Sequence, residues 1–348
     1  MSPIKTVALI GASGNLGEVL LPLLRQHYKV TIISRVSSKA QFQEDERVKV
    51  TRVKDDYPVD ELTAAFQNID AVVCAVAPTS SGAQFNIIDA AIASGVKHYI
   101  PAEFGLDTND PMKKKILPAL LPKIQVLERL RSLAPDSTLS WTAIATGLFF
   151  DWGLKIGFLH LNLAQQKAEI LGDGNTKFSA TNVPDIAQAV HGVLQQYDTV
   201  YRNKYIFIQS LLTSQNEVLK ALEKVTGKQW DVNRISEDQL LERARQKKED
   251  GKVNEERYDQ IWRLGILHSN FEGKEGFDTQ LLQPVNLEEE VAKVPEIRSK
   301  EDYINCKANG RSAEFSGQTA KVFNNREHKP FQILAAPLPY ITVTDTLE

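Results

Sequence analysis

Residues 4–17 read IKTVALIGASGNLG, and the fold of the chain turns on them. Ile4 to Ile10 is a short, β-branched, apolar run, the pattern of a strand buried on both faces. Gly11, Gly14 and Gly17 follow at three-residue spacing. Asn15 and Leu16 then open VLLPLLRQ, whose apolar residues suit a helix. At such a junction the first glycine permits the tight turn, and the second lets backbone approach a pyrophosphate. The third lets the helix lie against the strand. Amide hydrogens at the helix start, together with the helix dipole, then hold phosphates. Gly11, Ala12, Ser13, Gly14, Asn15, Leu16 and Gly17 are therefore the expected phosphate cradle. The strand before and the helix after set this pattern apart from a glycine-rich turn without a ligand.

Working outward, KVTIISR (29–35) reads as a second strand, whose end meets the adenosine ribose in a nucleotide fold. An acid there would bind a free 2′-hydroxyl. The loop instead carries Arg35, Lys39 and three serines and no acid, which favours NADP over NAD. Further strands are expected at 48–54, 70–76, from Lys97, at 139–147 and at 204–209. Helices are expected between them, at 58–67 with Pro58 at the start, at 83–94 ending on Gly95, and from Lys123. This alternation implies an α/β fold with a doubly wound parallel sheet of Rossmann type. Ligands sit at the carboxyl ends of such strands, so 74–78, with Ala75 and Val76, and 101–105 should line the cleft.

Residues 106–122, with three prolines and the run Lys113-Lys114-Lys115, read as a loop or broken helix over the site. Strand 139–147 leads into LFFDWGLKIGFLHL, rich in Phe and Trp, and both a small-molecule pocket and ordinary core fit that composition. Phe149, Phe150 and Trp152 are its candidate substrate residues. Downstream come a turn at 172–174, a helix from Val183 capped by Asn182, and a capping box at Ser214–Glu217 opening a helix that ends near Gly227. Two or three polar helices fill 236–293. The organisation expected is a cofactor-binding domain over 1–150, joined by strand 204–209, and a smaller substrate-binding subdomain over 151–295. A polar, aperiodic tail follows over 296–348, read as loop or disorder although its last stretch is apolar again.

Composition bounds the rest. The 348 residues, 42% hydrophobic, suffice for more than one domain-sized core, and a net charge of −3 points away from nucleic acid. Two cysteines, Cys74 and Cys306, suit a reducing compartment, with Cys74 read as packing. No run reaches the roughly eighteen apolar residues of a membrane span. The N-terminal apolar run is too short for a signal-peptide core. A cytoplasmic monomer or homodimer acting on a small molecule is expected. No HExxH, CxxC or GxSxG motif supports metal or serine-nucleophile chemistry.

GASGNLG, IPAEFG, SWTAIATGLFFDWGLKIGFLH and LGDGNTKFSATNVPDIAQAV, in this order, resemble the NmrA-like, isoflavone-reductase-like oxidoreductases, chiefly their fungal branch. These are atypical short-chain dehydrogenases, and the resemblance spans about 4–293. It implies NADPH and a catalytic lysine opening the helix after the EFG loop. Lys123, 18 positions after Gly105, matches that lysine. It also implies that Arg35 meets the 2′-phosphate, with Lys39 as the second basic residue although the family usually places it further along the loop. Phe104 matches a loop phenylalanine near the nicotinamide, and Leu148 with Phe149 matches the segment closing over that ring. The Tyr-x-x-x-Lys pair of ordinary short-chain dehydrogenases occurs only at Tyr303–Lys307, in the tail, and is read as chance. The function expected is reduction of a small aromatic or conjugated metabolite, of the kind found in secondary metabolism, with Lys123 as general acid or base. A non-catalytic NADP sensor, or an isomerase on the same scaffold, is the alternative.

Overall fold

The computed structural model describes residues 2–110, 117, 120–133, 137–282 and 285–293. The lysine run 113–115, Pro111, Pro118, the Tyr303–Lys307 pair, Cys306 and the tail lie outside the described residues.

Seven parallel strands form the main sheet in the order β11-β6-β5-β4-β1-β2-β3. They are β1 (Thr6–Ile10), β2 (Lys29–Arg35), β3 (Val48–Val53), β4 (Ala71–Cys74), β5 (His98–Ile100), β6 (Ser140–Ala145) and β11 (Lys204–Phe207). β1 pairs with β2 (Thr6↔Lys29) on one side and with β4 (Val7↔Ala71) on the other. Strand order therefore reverses at β1/β4, and the crevice at the carboxyl ends opens there.

Helices cover both faces, which explains why β1 is apolar from Val7 to Ile10 rather than alternating. Val7 and Leu9 point into one core with Leu20 and Leu24 of α1 (Gly17–His27) and Ile186 and Val190 of α6 (Val183–Gln195). Ala8 and Ile10 point the other way, to Leu62 of α2 (Val59–Ala65), Ile87 of α3 (Gln84–Ala93) and Leu127 of α4 (Leu121–Arg131). β11 extends the sheet beside β6 (Lys204↔Thr142).

A second core lies under two smaller sheets. One joins β7 (Leu148–Phe149), β10 (Phe178–Thr181) and β12 (Leu211–Thr213). The other joins β8 (Leu161–Asn162), β9 (Lys167–Leu171) and β13 (Asp231–Ile235). Around them pack α5 (Phe150–Lys155), α7 (Gln215–Thr226), α8 (Glu237–Glu249), α9 (Val253–His268) and α10 (Leu287–Lys293). The capping box forms as read: Ser214 Oγ accepts from the Glu217 amide, and the Glu217 carboxylate accepts from the Ser214 amide at 2.9 Å. Gly227 closes α7 in the left-handed region.

Two local expectations change. α4 begins at Leu121, not Lys123, because a proline in the first turn gives up no helical hydrogen bond and Pro122 fits there. Asn182 does hold the N-cap position of α6, but its side chain does not cap. Its amide group donates instead to Glu290 of α10 at 2.9 Å, tying that helix to the fold.

The glycine run is set by contact between main chains. A Cβ on Gly17 would stand 2.1 Å from the Gly11 carbonyl oxygen, and one on Gly11 would stand 2.4 Å from that of Ala75. Gly11 also has φ +87°. Gly17→Ala should therefore lower stability by about 1–3 kcal/mol in chemical denaturation, since the atom in the way is backbone. Gly82→Ala, with nothing within 4 Å of its Cβ, should be nearly neutral.

Candidate active site

The cleft is built from four loops at the carboxyl ends of the central strands. After β1, the Gly14 amide donates to the Gly11 carbonyl at 3.0 Å and closes a tight turn. Ala12 and Leu16 bury their side chains in the first core, while Ser13 and Asn15 face solvent. Ala12 and Leu16 can therefore meet a ligand only through their main chains. The helix axis behind them adds a positive dipole end.

Arg35 ends β2 and Lys39 lies on the loop after it, both exposed. That loop is shaped by Arg52 of β3, whose guanidinium donates to the carbonyls of Arg35 (3.1 Å), Ser38 (2.9 Å) and Ala40 (3.0 Å). Asp55, just past β3, accepts from the Ser37 amide at 3.1 Å. Ser37 hydrogen bonds, with the Arg35 charge beside them, hold its carboxyl below the ordinary range. The loop has no acid of its own, yet the neighbouring strand brings one to it. Arg52 and Asp55 are the residues that reading along the loop misses. The signal for them is the β2/β3 register, which sets Ser34 opposite Arg52 and Arg35 opposite Val53.

Ala75 follows β4 and packs with Phe104, Phe149 and Trp152 against the core that also holds Ala12 and Leu16. The glycine turn, the loop after β4, the loop after β5 and β7 thus all pack against one core. Val76 turns to the opposite face of the sheet. Phe150 departs from expectation. It is fully buried in the second core, clustered with Leu154, Phe178 and Trp262, and so acts as packing with no surface to offer a substrate. Phe149 and Trp152 keep partial exposure and meet edge to face at 6.4 Å.

Lys123 lies in the first turn of α4 and is only 8% exposed. Its Nζ donates to the main-chain carbonyl of Glu103 at 3.0 Å, one residue before Phe104. Burial lowers its affinity for a proton, and the nearby Glu103 and Cys74 charges oppose that. The dipole of α4 also disfavours a cation in this turn. Glu103 itself is 2% exposed, and burial raises its carboxyl above the ordinary range against the pull of Lys123 and the hydrogen bonds from Thr108 and Tyr205. The 101–109 loop is tied to the turn after β6, where the Thr146 and Gly147 amides both donate to the Gly105 carbonyl at 3.0 Å. Gly147 (φ +63°) lies so close to Ser179 that a Cβ would stand 2.2 Å from its carbonyl oxygen.

A groove of about 460 Å³ opens elsewhere, among the smaller sheets, lined by Lys155, His160, Lys167, Glu169 and Arg243 among others. Of the expected site residues, none lines it. Among the described residues, no group of three or more His, Cys, Asp or Glu is arranged to hold a metal, and no helix is long and apolar enough to cross a membrane.

The model of the NmrA-like family matches residues 3–260. The chain belongs to the NmrA-like family. It is 38% identical over 236 residues to "Oxidoreductase aprR" of Aspergillus flavus, covering 67% of this chain and 78% of that one. It is 34% identical over 241 residues to "Oxidoreductase poxI" of Penicillium oxalicum, covering 68% and 74%. Among solved structures, "AtPrR2 with NADP+ and (+)pinoresinol" superposes with a TM-score of 0.67 at 18% identity, covering 84% of this chain and 99% of that one. This NmrA-like chain is an oxidoreductase. The solved structure shares its fold.

Proposed function

We propose that the chain is an NADPH-dependent reductase of a small aromatic or conjugated metabolite, with Lys123 as its proton donor. The observation that carries this is a lysine side chain enclosed by protein, bonded to the residue before Phe104 and not spread over the surface. Most lysines stay in water, and enclosing one is costly unless it is paired and hydrogen-bonded. The residues present fit the dinucleotide. The glycine turn leaves main chain bare of Cβ atoms, and Arg35 stands at the ribose end of β2. AtPrR2, which shares the fold, was solved with NADP+ and an aromatic compound, pinoresinol.

The amides of the turn other than that of Gly14, which already serves Gly11, and the α1 dipole would hold the pyrophosphate, and Arg35 the 2′-phosphate. NADPH supplies a hydride when bound. Reduction of a carbonyl or conjugated alkene leaves negative charge on the acceptor. The Lys123 ammonium then gives up one N–H proton, an O–H or C–H bond forms on the substrate, and the neutral amine recovers its proton from water. Phe104, Phe149 and Trp152 exclude water from that step and offer a flat apolar face to a ring.

Two outcomes are expected. Arg35→Asp should cost NADPH roughly ten- to a hundredfold in affinity, the worth of a charge-assisted contact, while leaving NADH little changed. Fluorescence titration of both cofactors measures it, and equal wild-type affinities would contradict the assignment. Lys123→Met should lower turnover by about 10²–10⁴ with cofactor affinity retained. Because the ammonium is the active form, the wild-type rate should fall as pH rises through the lowered pKa of Lys123, and that limb should vanish in the variant. Near-normal turnover by Lys123→Met would remove the lysine from the chemistry. A partner protein bound in a cofactor-dependent way, with no substrate turned over, would favour an NADP sensor.

A further inference from the structure

The loop after β5 does more than present Phe104. Glu103 touches Lys123 through its main-chain carbonyl, while its carboxylate enters a closed ring of hydrogen bonds. Thr108 Oγ1 donates to Glu103 Oε1. The Tyr205 hydroxyl, from the edge strand β11, donates to the same oxygen at 3.2 Å. The Thr108 amide in turn donates to the Tyr205 oxygen at 3.1 Å. That last bond occupies a lone pair of the phenol oxygen, so its proton is left to point at Glu103. Both donors are committed to the carboxylate, which favours its ionised form against the burial that raises it. An ionised carboxylate at 2% exposure needs an opposite charge nearby.

The surroundings name that charge. Among the described residues, the ionisable groups whose charge bears on Lys123 are Glu103 and Cys74. Burial pushes the Cys74 thiol up to about 11, so it is neutral near pH 7. On the other side, Lys123 and Asp107 act on Glu103. Asp107 is taken by Lys274 at 2.5 Å, and burial keeps Tyr205 protonated. α4 contributes its positive dipole end, and α3 contributes Gln84, which is neutral and held by Tyr99 and the Ala102 amide.

We propose that Glu103 is a positioning residue for Lys123: its carbonyl aims the side-chain nitrogen, and its carboxylate, pinned by Thr108 and Tyr205, is the counter-charge that keeps the amine protonated. This rests on the reading of Lys123 as proton donor. A lysine enclosed by protein and set at a helix N-terminus would otherwise shed its proton and arrive at the reaction with nothing to give. The network reaches Tyr205, so the far edge of the sheet is coupled to the proton donor.

The test reads the charge of Lys123 directly and needs no substrate. Protein carrying ¹³C at the lysine Cε positions is titrated with pH by NMR, and the Lys123 resonance is assigned by its loss in Lys123→Met. In Glu103→Gln, which keeps shape and removes charge, the midpoint should fall by about one unit or more. Tyr205→Phe leaves the carboxylate but deletes one donor, which weakens its ionised form, and should shift the midpoint the same way by less. Should Glu103→Gln fail to fold, Tyr205→Phe decides alone. A Lys123 midpoint unmoved in the folded variants overturns the proposal, because a merely structural Glu103 would alter melting and leave that titration in place. The outcome is separable from the catalytic reading. If Lys123→Met keeps its turnover, the proton-donor role fails whatever the titration shows. If Lys123→Met loses turnover and the Glu103 variants titrate like wild type, only the role of Glu103 fails.

Discussion

The molecule is organised by a place where three stretches of main chain touch. Gly11 packs against the carbonyl of Ala75, and Gly17 against the carbonyl of Gly11. These contacts fix α1 against β1 and bring the end of β4 against the turn, with no side chain between them. The sheet order reverses at the same spot, so the crevice that any parallel sheet leaves at a switch point is here walled by backbone. That closeness sets the dipole end of α1 behind the turn and holds the Ala75 loop alongside.

Much of this is legible in the residues. The glycine spacing sits between a buried strand and a helix, and each β/α repeat has its own period. The apolar strands of the main sheet lie where their pattern places them because burial on both faces leaves them no other residues to use. The second core is less legible. Its strands are as short as two residues, β7 and β8, and local sequence carries little signal at that length. Phe150 illustrates the cost: aromatic residues in a row announce burial, but which ring faces a cleft and which a core is decided by where α5 begins. Contacts across strands are hidden for the same reason. Arg52 and Asp55 shape the loop that carries Arg35, but they lie well along the chain from it, and only the pairing of β3 with β2 brings them there.

The second organising feature is electrostatic. Lys123 and Glu103 are both buried, on different elements, at a level where each charge needs a partner. The sequence displays the lysine and its spacing from the EFG loop but not the tertiary contacts, since Thr108 and Tyr205 reach Glu103 from the rest of its own loop and from the last strand of the sheet. Sites that store charge in this way specify their geometry closely, because a half-satisfied network is worse than an apolar one.

The central claim is that one cleft joins the glycine turn, Arg35 and Lys123 along a single dinucleotide. The most direct measurement is a crystal structure of the protein with NADP+. The account predicts the pyrophosphate on residues 12–17, the 2′-phosphate at Arg35, and the nicotinamide ring against Phe104 and Phe149 with Lys123 Nζ facing it. A dinucleotide bound with its nicotinamide away from Lys123, or seated in the groove beside His160 and Arg243, would contradict it.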